Sequence, residues 1–409
     1  MKETYLHYLW RQKRLPFHLL RLKDGRSFKI HSPGFYNAHN AGPDFSESRI
    51  EIDGIVWVGP VEIHVRASDW LRHNHHNDRA YDNVILHVVL EDDKPVLQEG
   101  VLIPVLELYS VIDMEHYRQF LRFLDKMDRQ IPCETLLPAI ESLFIREMID
   151  RCSVERMERK YNELVQYADP LDPAETFYRL LARSFGTKHN AAPFEELAMR
   201  IPLKSVKHLR RTQKRKHYLE TSGLSNREIV QASWKSSDMN DAILKNTVNQ
   251  MNPSSWNYGG IRPSSHPHLR IEQFVSIIDA LDLNLFFVNI PVEAILHYFD
   301  ELVRSVNSKE KQKQLKISQG LKNQLLINAV SPFLFWWGKV NSNENLQSSA
   351  LELLDFIPVE DNRLVRDWRK RGIIMETARD SQALIELLNF YCLRKKCLSC
   401  SVGNKVLNR

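Results

Sequence analysis

No run of apolar residues in this chain approaches the ~18 needed to cross a bilayer. The opening Met1-Lys2-Glu3-Thr4-Tyr5-Leu6-His7-Tyr8 also lacks the basic-then-apolar layout of a signal peptide. A cytoplasmic location and no membrane partner are therefore expected. Cysteine is scarce, five in 409 residues, an odd number with three crowded near the end, which argues against a disulfide framework in such a compartment. There is no internal repeat, and 43% hydrophobic with 26% charged residues is an ordinary globular composition that excludes disordered and fibrous classes. Charge of one sign is also lacking, with 56 Lys+Arg against 51 Asp+Glu for a formal net of +5. The length leaves room for two or three domains.

What is present changes character near residue 110. Before it lie strand patterns: Arg26–His31, a hairpin, Asn83–Leu90 and Val101–Leu108. The run Asn83-Val84-Ile85-Leu86-His87-Val88-Val89-Leu90 is apolar on both faces, as expected of a central strand, with His87 a core histidine. After residue 110 the apolar spacing is helical, in Met114–Met127, Leu143–Ala168, Ala174–Phe185, Ile271–Leu281, Val292–Val306, Gly320–Trp336 and Gln382–Cys392. The fold class predicted is α+β: an N-terminal α/β domain over 1–110, then a large mostly α-helical region in two parts, 111–250 with a basic segment and 251–409 ending in a Cys cluster.

The most informative stretch is Asn40-Ala41-Gly42-Pro43-Asp44-Phe45, followed by Val61-Glu62-Ile63-His64-Val65. Between them, Ser48–Ile52 and Ile55–Val58 are β-rich and joined by Asp53-Gly54, a pair that supplies φ > 0 for a tight hairpin. Asp44 begins one strand and Glu62 lies late in its partner. On the pleat Glu62, His64 and Arg66 share one face, a candidate site, while Val61, Ile63 and Val65 share the other, a candidate core. Carboxylate oxygens suit Mg²⁺ or Mn²⁺, and an imidazole shifts the preference toward Mn²⁺ or another transition ion. The competing reading makes Asp44 an Asx-turn residue and Glu62 and His64 polar residues on a solvated face.

Pro43-Asp44 followed by Glu62-Ile63-His64 resembles the PD-(D/E)XK nuclease superfamily, whose pattern is a Pro-Asp at the start of one hairpin strand and an acid, any residue and a lysine on the next. Here histidine stands where the lysine would be. The run from Gly42 to Asp69 and the Cys-rich C-terminus are similar to an uncharacterised bacterial family, a domain of unknown function with a nuclease-like N-terminal part. The resemblance implies a mixed restriction-endonuclease-like sheet and a divalent ion, Mg²⁺ or Mn²⁺, held by Asp44 and Glu62 at its edge. It also implies His64 in the lysine's catalytic place; Arg66, on the same strand face, could supply the missing fixed positive charge.

A second cluster, Ser68-Asp69-Trp70-Leu71-Arg72-His73-Asn74-His75-His76-Asn77-Asp78, packs three histidines and two acids into a short space. His73, His75 and Asp78 could contact substrate phosphate beside the Asp44/Glu62 site; alternatively the segment is a polar loop capping a short helix from Asp78 to Tyr81.

Further on, Lys204, Lys207, Arg210, Arg211, Lys214, Arg215 and Lys216 form a basic run without an acid, suited to nucleic-acid phosphates or to a solvated helix face. The aromatics of Ser255–Pro263 could stack on bases or pack internally. Cys392, Cys397 and Cys400 form a C-x4-C-x2-C run that matches the first three ligands of a plant-type iron–sulfur site; Zn²⁺ is an equal alternative, reduced idle thiols a third, and Cys133 the preferred fourth ligand, with Cys152 the other candidate.

Two functions follow: a metal-dependent nuclease acting on DNA or RNA, or a catalytically inactive nucleic-acid-binding or scaffold protein on a nuclease-like fold. A metallohydrolase built on His73–Asp78 comes third.

Overall fold

A computed structural model describes residues 1–16, 19–37, 41–98, 100–124, 129–225, 250–282 and 291–407; Asn40 and Met127, named above, lie outside them. The chain divides into two compact units, one formed by Met1–Leu136 together with Tyr391–Arg409 and the other by Leu137–Phe390. This division falls at different positions from the three segments read in the sequence, because the tail packs with the N-terminal unit rather than continuing the helical one.

The first unit is built on a mixed sheet. Its strands are β1 (Phe28–Ser32), β2 (Phe35–Tyr36), β3 (Phe45–Ile52), β4 (Ile55–Arg66) and β5 (Leu86–Glu91), then a short β6–β7 pair (Leu97–Gln98, Val101–Leu102) and β8 (Val105–Glu107). The order is β1-β3-β4-β5-β8, with β2 also on β3; β1, β3 and β4 run antiparallel, while β5 is parallel to both β4 and β8. The hairpin turns at Asp53 (φ 49°) and Gly54 (φ 80°), both in the left-handed region that a two-residue turn of this hand requires. β5, flanked on both sides, is the apolar central strand its sequence predicts. Helix α1 (Glu3–Arg11) packs beside β4, with Trp10 next to Phe28 and Phe45. The short α2 (Asp69–Arg72) follows β4, and Trp70, Tyr81, Val84, Val89 and Val105 form a buried cluster. A longer helix, α3 (Met114–Leu124), follows β8.

The helical unit contains α4 (Ser142–Val165), α5 (Pro173–Phe185), α6 (Thr187–Arg200), α7 (Leu203–Val206), α8 (Arg211–Thr221), α9 (Pro267–Ala280), α10 (Val292–Lys309), α11 (Gln319–Leu325), α12 (Ser331–Val340), α13 (Glu344–Asp355), α14 (Arg363–Lys370) and α15 (Ala378–Leu387). Its core runs through Phe177, Phe185, Phe274, Phe299, Phe333 and Trp336. The single apolar run Gly320–Trp336 is divided between α11, a π-helical turn at Leu326–Val330 and α12, where Pro332 occupies a first-turn position that tolerates its missing N–H.

Among the described residues no helix is long and apolar enough to cross a membrane.

Candidate metal centre

Register and turn chemistry bring the two sequence clusters together. A bulge in β3 between Phe45 and Ser48, with Glu47 at φ 53°, bends the strand beside Asp44. Asp44 is then clamped to β4 from both ends: its Oδ2 accepts from the Ile63 N–H at 2.9 Å, and its own N–H donates to Glu62 Oε2 at 2.9 Å. In the parallel register Glu62 stands opposite His87 and His64 opposite Val89. Glu62 and His64 are 5% and 1% exposed, so the solvated-face reading of these two residues does not hold. Val61 and Ile63 are buried as well, so both faces of β4 are interior here. β4 is also flanked on both sides, by β3 and β5, which sets the cluster over the middle of the sheet rather than at the edge expected from the sequence.

The loop after α2 supplies the other half. Asn74 adopts a left-handed conformation (φ 63°), which asparagine tolerates better than most residues, and the reversal turns His73 and His75 toward His64. The ring centroids of His73 and His75 lie 5.0 and 5.3 Å from that of His64. One nitrogen from each of His64, His73 and His75 falls within 4.8 Å of the others. His73 Nδ1 is 3.2 Å from His64 Nε2, Glu62 Oε1 is 3.5 Å from His64 Nε2, and His75 Nε2 is 3.3 Å from Glu62 Oε1. That His75 nitrogen is buried without a hydrogen bond, although a carboxylate oxygen is close by.

Protonation follows burial. His64 is pushed down to about 2 by burial first and then by His87, His75 and His73, and His87 down to about 3 by burial, so both rings are neutral and keep a lone pair. His64 Nδ1 lies 2.9 Å from His87 Nε2. With His64 Nε2 reserved for a ligand, its Nδ1–H donates to His87, the outer support that orients metal-binding imidazoles. Burial also raises the Glu62 carboxyl, against a lowering by His75.

Two contributors escaped the sequence reading. His7 on α1 reaches across so that its Nε2 is 3.2 Å from Asp44 Oδ2 and its Nδ1 3.3 Å from the Tyr36 hydroxyl. Tyr81 stacks on His75 at a centroid distance of 3.9 Å. Neither carries a local signal: His7 sits among the core residues of an ordinary helix, and Tyr81 reads as the end of a short helix from Asp78.

Other predicted site residues lie elsewhere. Arg66 is exposed and pairs with Glu91 at 3.7 Å. Asp78 is exposed and caps the turn Arg79–Tyr81 by accepting from the Ala80 N–H at 2.9 Å.

In the helical unit three of the seven basic residues are neutralised where they fold. Lys214 pairs with Asp279 at 2.6 Å, Arg215 with Glu272 at 3.0 Å and Arg211 with Glu310 at 3.3 Å, whereas Lys204, Lys207 and Arg210 are exposed and Lys216 is half-buried. Trp256 is interior, donating to the Ser222 carbonyl at 2.9 Å, so it is not a platform for bases.

Cys133, Cys392, Cys397 and Cys400 all belong to the N-terminal unit and are buried, whereas Cys152 belongs to the helical unit; no disulfide links the described cysteines.

No curated protein and no solved structure matches this chain. The family model described as "Protein of unknown function (DUF2851)" matches residues 3–363, which takes in every residue of the centre and stops short of the three C-terminal cysteines. The chain therefore belongs to the DUF2851 family.

Proposed function

We propose that this protein is a metal-dependent nuclease whose divalent ion would be held by His64, His73, His75 and Glu62. The observation that carries the reading is the succession of spacings from His73 Nδ1 through His64 Nε2 and Glu62 Oε1 to His75 Nε2, at 3.2, 3.5 and 3.3 Å. Ligand atoms at about 2.0–2.1 Å from one tetrahedral ion stand roughly 3.4 Å apart, so these side chains need little rearrangement to close on it. Three imidazoles favour a transition ion, Mn²⁺ or Zn²⁺, over the Mg²⁺ that carboxylates alone would select. Such an ion supplies Lewis acidity and an acidified water.

The protein groups divide the remaining tasks. Asp44 positions Glu62 through its backbone N–H and is held by the Ile63 N–H, so it braces the ligand set from behind. His7 offers positive charge: burial disfavours its protonation, but the hydrogen bond and charge of Asp44, with Glu3 and Glu62, outweigh burial and raise its pKa. A protonated His7 would supply at this site the charge that lysine supplies in the pattern Pro43-Asp44/Glu62-Ile63-His64 resembles. The choice of nucleic acid as substrate rests on that resemblance and on the exposed Lys204, Lys207 and Arg210.

Binding without cleavage is the second reading, favoured by Arg66, whose exposed side chain turns to Glu91 and leaves His64 without a fixed cation. Metal titration by calorimetry and cleavage of single- and double-stranded DNA and RNA with Mn²⁺, Zn²⁺ or Mg²⁺ test both. Expected are one tight Mn²⁺ or Zn²⁺ site, lost in His64→Ala and His75→Ala, and cleavage that fails in Glu62→Gln. Wild-type protein that binds no metal rejects the centre, and metal binding without cleavage of any substrate leaves the second reading.

A further inference from the structure

Four of the five cysteines belong to one unit although they come from two distant stretches of chain. Cys133 lies in a tight turn, where the Glu134 N–H donates to the Ile131 carbonyl at 3.1 Å and the Leu136 N–H to the Cys133 carbonyl at 2.9 Å. The tail comes back to this turn: Lys395 Nζ donates to the carbonyl of Arg129, and Arg11 Nη1 to Ser399 Oγ at 2.7 Å. Lys395 sits at φ 56°, a reversal between Cys392 and Cys397, and the Cys400 N–H closes a further turn on the Cys397 carbonyl at 3.1 Å. Gly403 fits against the backbone of Cys397 so closely that a Cβ there would fall 2.2 Å from the Cys397 oxygen. Each of the four thiols is only 7–8% exposed.

We propose that Cys133, Cys392, Cys397 and Cys400 hold an iron–sulfur cluster that fastens the tail to the segment following the sheet. Four thiolates are the usual ligand set of such a cluster, and a fourth cysteine from a remote segment completes the C-x4-C-x2-C spacing. Electrostatics agree that Cys133, Cys397 and Cys400 lie near one another: burial pushes the Cys133 thiol up to about 12, with Cys400 and Cys397 adding to it, and Cys397 rises to about 12 through burial and Cys400. A tetrahedral zinc with Zn–S bonds of about 2.3 Å needs its sulfurs about 3.8 Å apart. Among the described residues no three of these cysteines gather within 4.8 Å, although three nitrogens of the histidine centre do. Neighbouring sulfurs at wider spacing suit ligands with an iron–sulfide core between them. The proposal is independent of the nuclease reading, since it concerns other residues and its test needs no activity.

Iron, zinc and acid-labile sulfide should be measured on full-length protein purified without oxygen, together with its visible absorption. The expected result is iron and sulfide in equal amounts, about two to four of each per chain, with a broad visible band. Both should fall to near zero in Cys397→Ser and Cys400→Ser and stay unchanged in Cys152→Ala, which alters the cysteine of the other unit. Wild-type protein without iron before and after anaerobic reconstitution overturns the proposal, as does one equivalent of zinc removed by Cys397→Ser. Should the variants fail to fold, the wild-type iron and sulfide content decides alone.

Discussion

His64 and His87 share one hydrogen bond in a place from which solvent is excluded, and that fixes how the metal-free protein answers to acid. In the unfolded chain a histidine takes up its proton near pH 6.5, whereas in the folded protein these two do so only near 2 and 3. Between those limits the unfolded state binds more protons, so folding stability falls as pH falls. Above about pH 6.5 this pair contributes no pH dependence. Below it each ring should cost roughly 1 kcal/mol per pH unit. Urea unfolding of chelator-treated protein at pH 7, 6 and 5 measures this, and His87→Leu should flatten the slope; an equal slope in that variant would show that other groups govern acid sensitivity. The same substitution removes the outer support of His64 and should weaken metal binding by about 10–100-fold. At this scale the sequence revealed the parts better than their assembly. Asp44, Glu62, His64, His73 and His75 all stand out as residue types, but joining them needs the Asn74 reversal and the parallel β4–β5 register. His7 offered no cue at all, since a helix buried on all sides, from Tyr5 to Trp10, carries histidines for many reasons.

Elements explain why three residues of the basic run are not a phosphate surface. Glu272, Ser276 and Asp279 recur on one side of α9, and that side meets α8 through Arg215, Arg211 and Lys214. Lys214 is the most enclosed of them at 7% exposure. Asp279→Ala leaves its ammonium buried without a partner and should cost about 2–4 kcal/mol, whereas Lys214→Met combined with Asp279→Leu should restore most of that loss. Chemical denaturation of the single and double variants checks it; a neutral Asp279→Ala would mean that the pair is solvated in solution. Charge in the sequence is visible, but its compensation by acids far along the chain is not. The hairpin was legible because Asp53-Gly54 encodes its own turn, and the helices because their apolar periods are local.

For the whole molecule, the unit carrying the candidate metal centre is discontinuous, closed by residues 391–409, where Cys392, Cys397, Cys400, Val402 and Leu407 are interior. Deleting 391–409 should therefore lower the unfolding midpoint of the N-terminal unit and increase hydrogen exchange in α3, against which the tail helix Ser401–Leu407 packs, while exchange in α5 and α12 stays as it was. Uniform loosening of both units would contradict the division. Nothing in the order of the sequence announces this return, since only the cysteines at its two ends mark the meeting point.

The discontinuity also has a consequence in time. A ribosome must make all of Leu137–Phe390 before the closing segment of the first unit exists, roughly ten to fifty seconds at ordinary elongation rates. Throughout that interval the nascent chain holds β4 and its histidines in an unfinished unit, with the surface meant for Cys397 and Val402 uncovered. Completion of that unit is thus tied to the translation of residues 391–409, and slow decoding within the helical unit would lengthen the period in which the growing chain depends on chaperones.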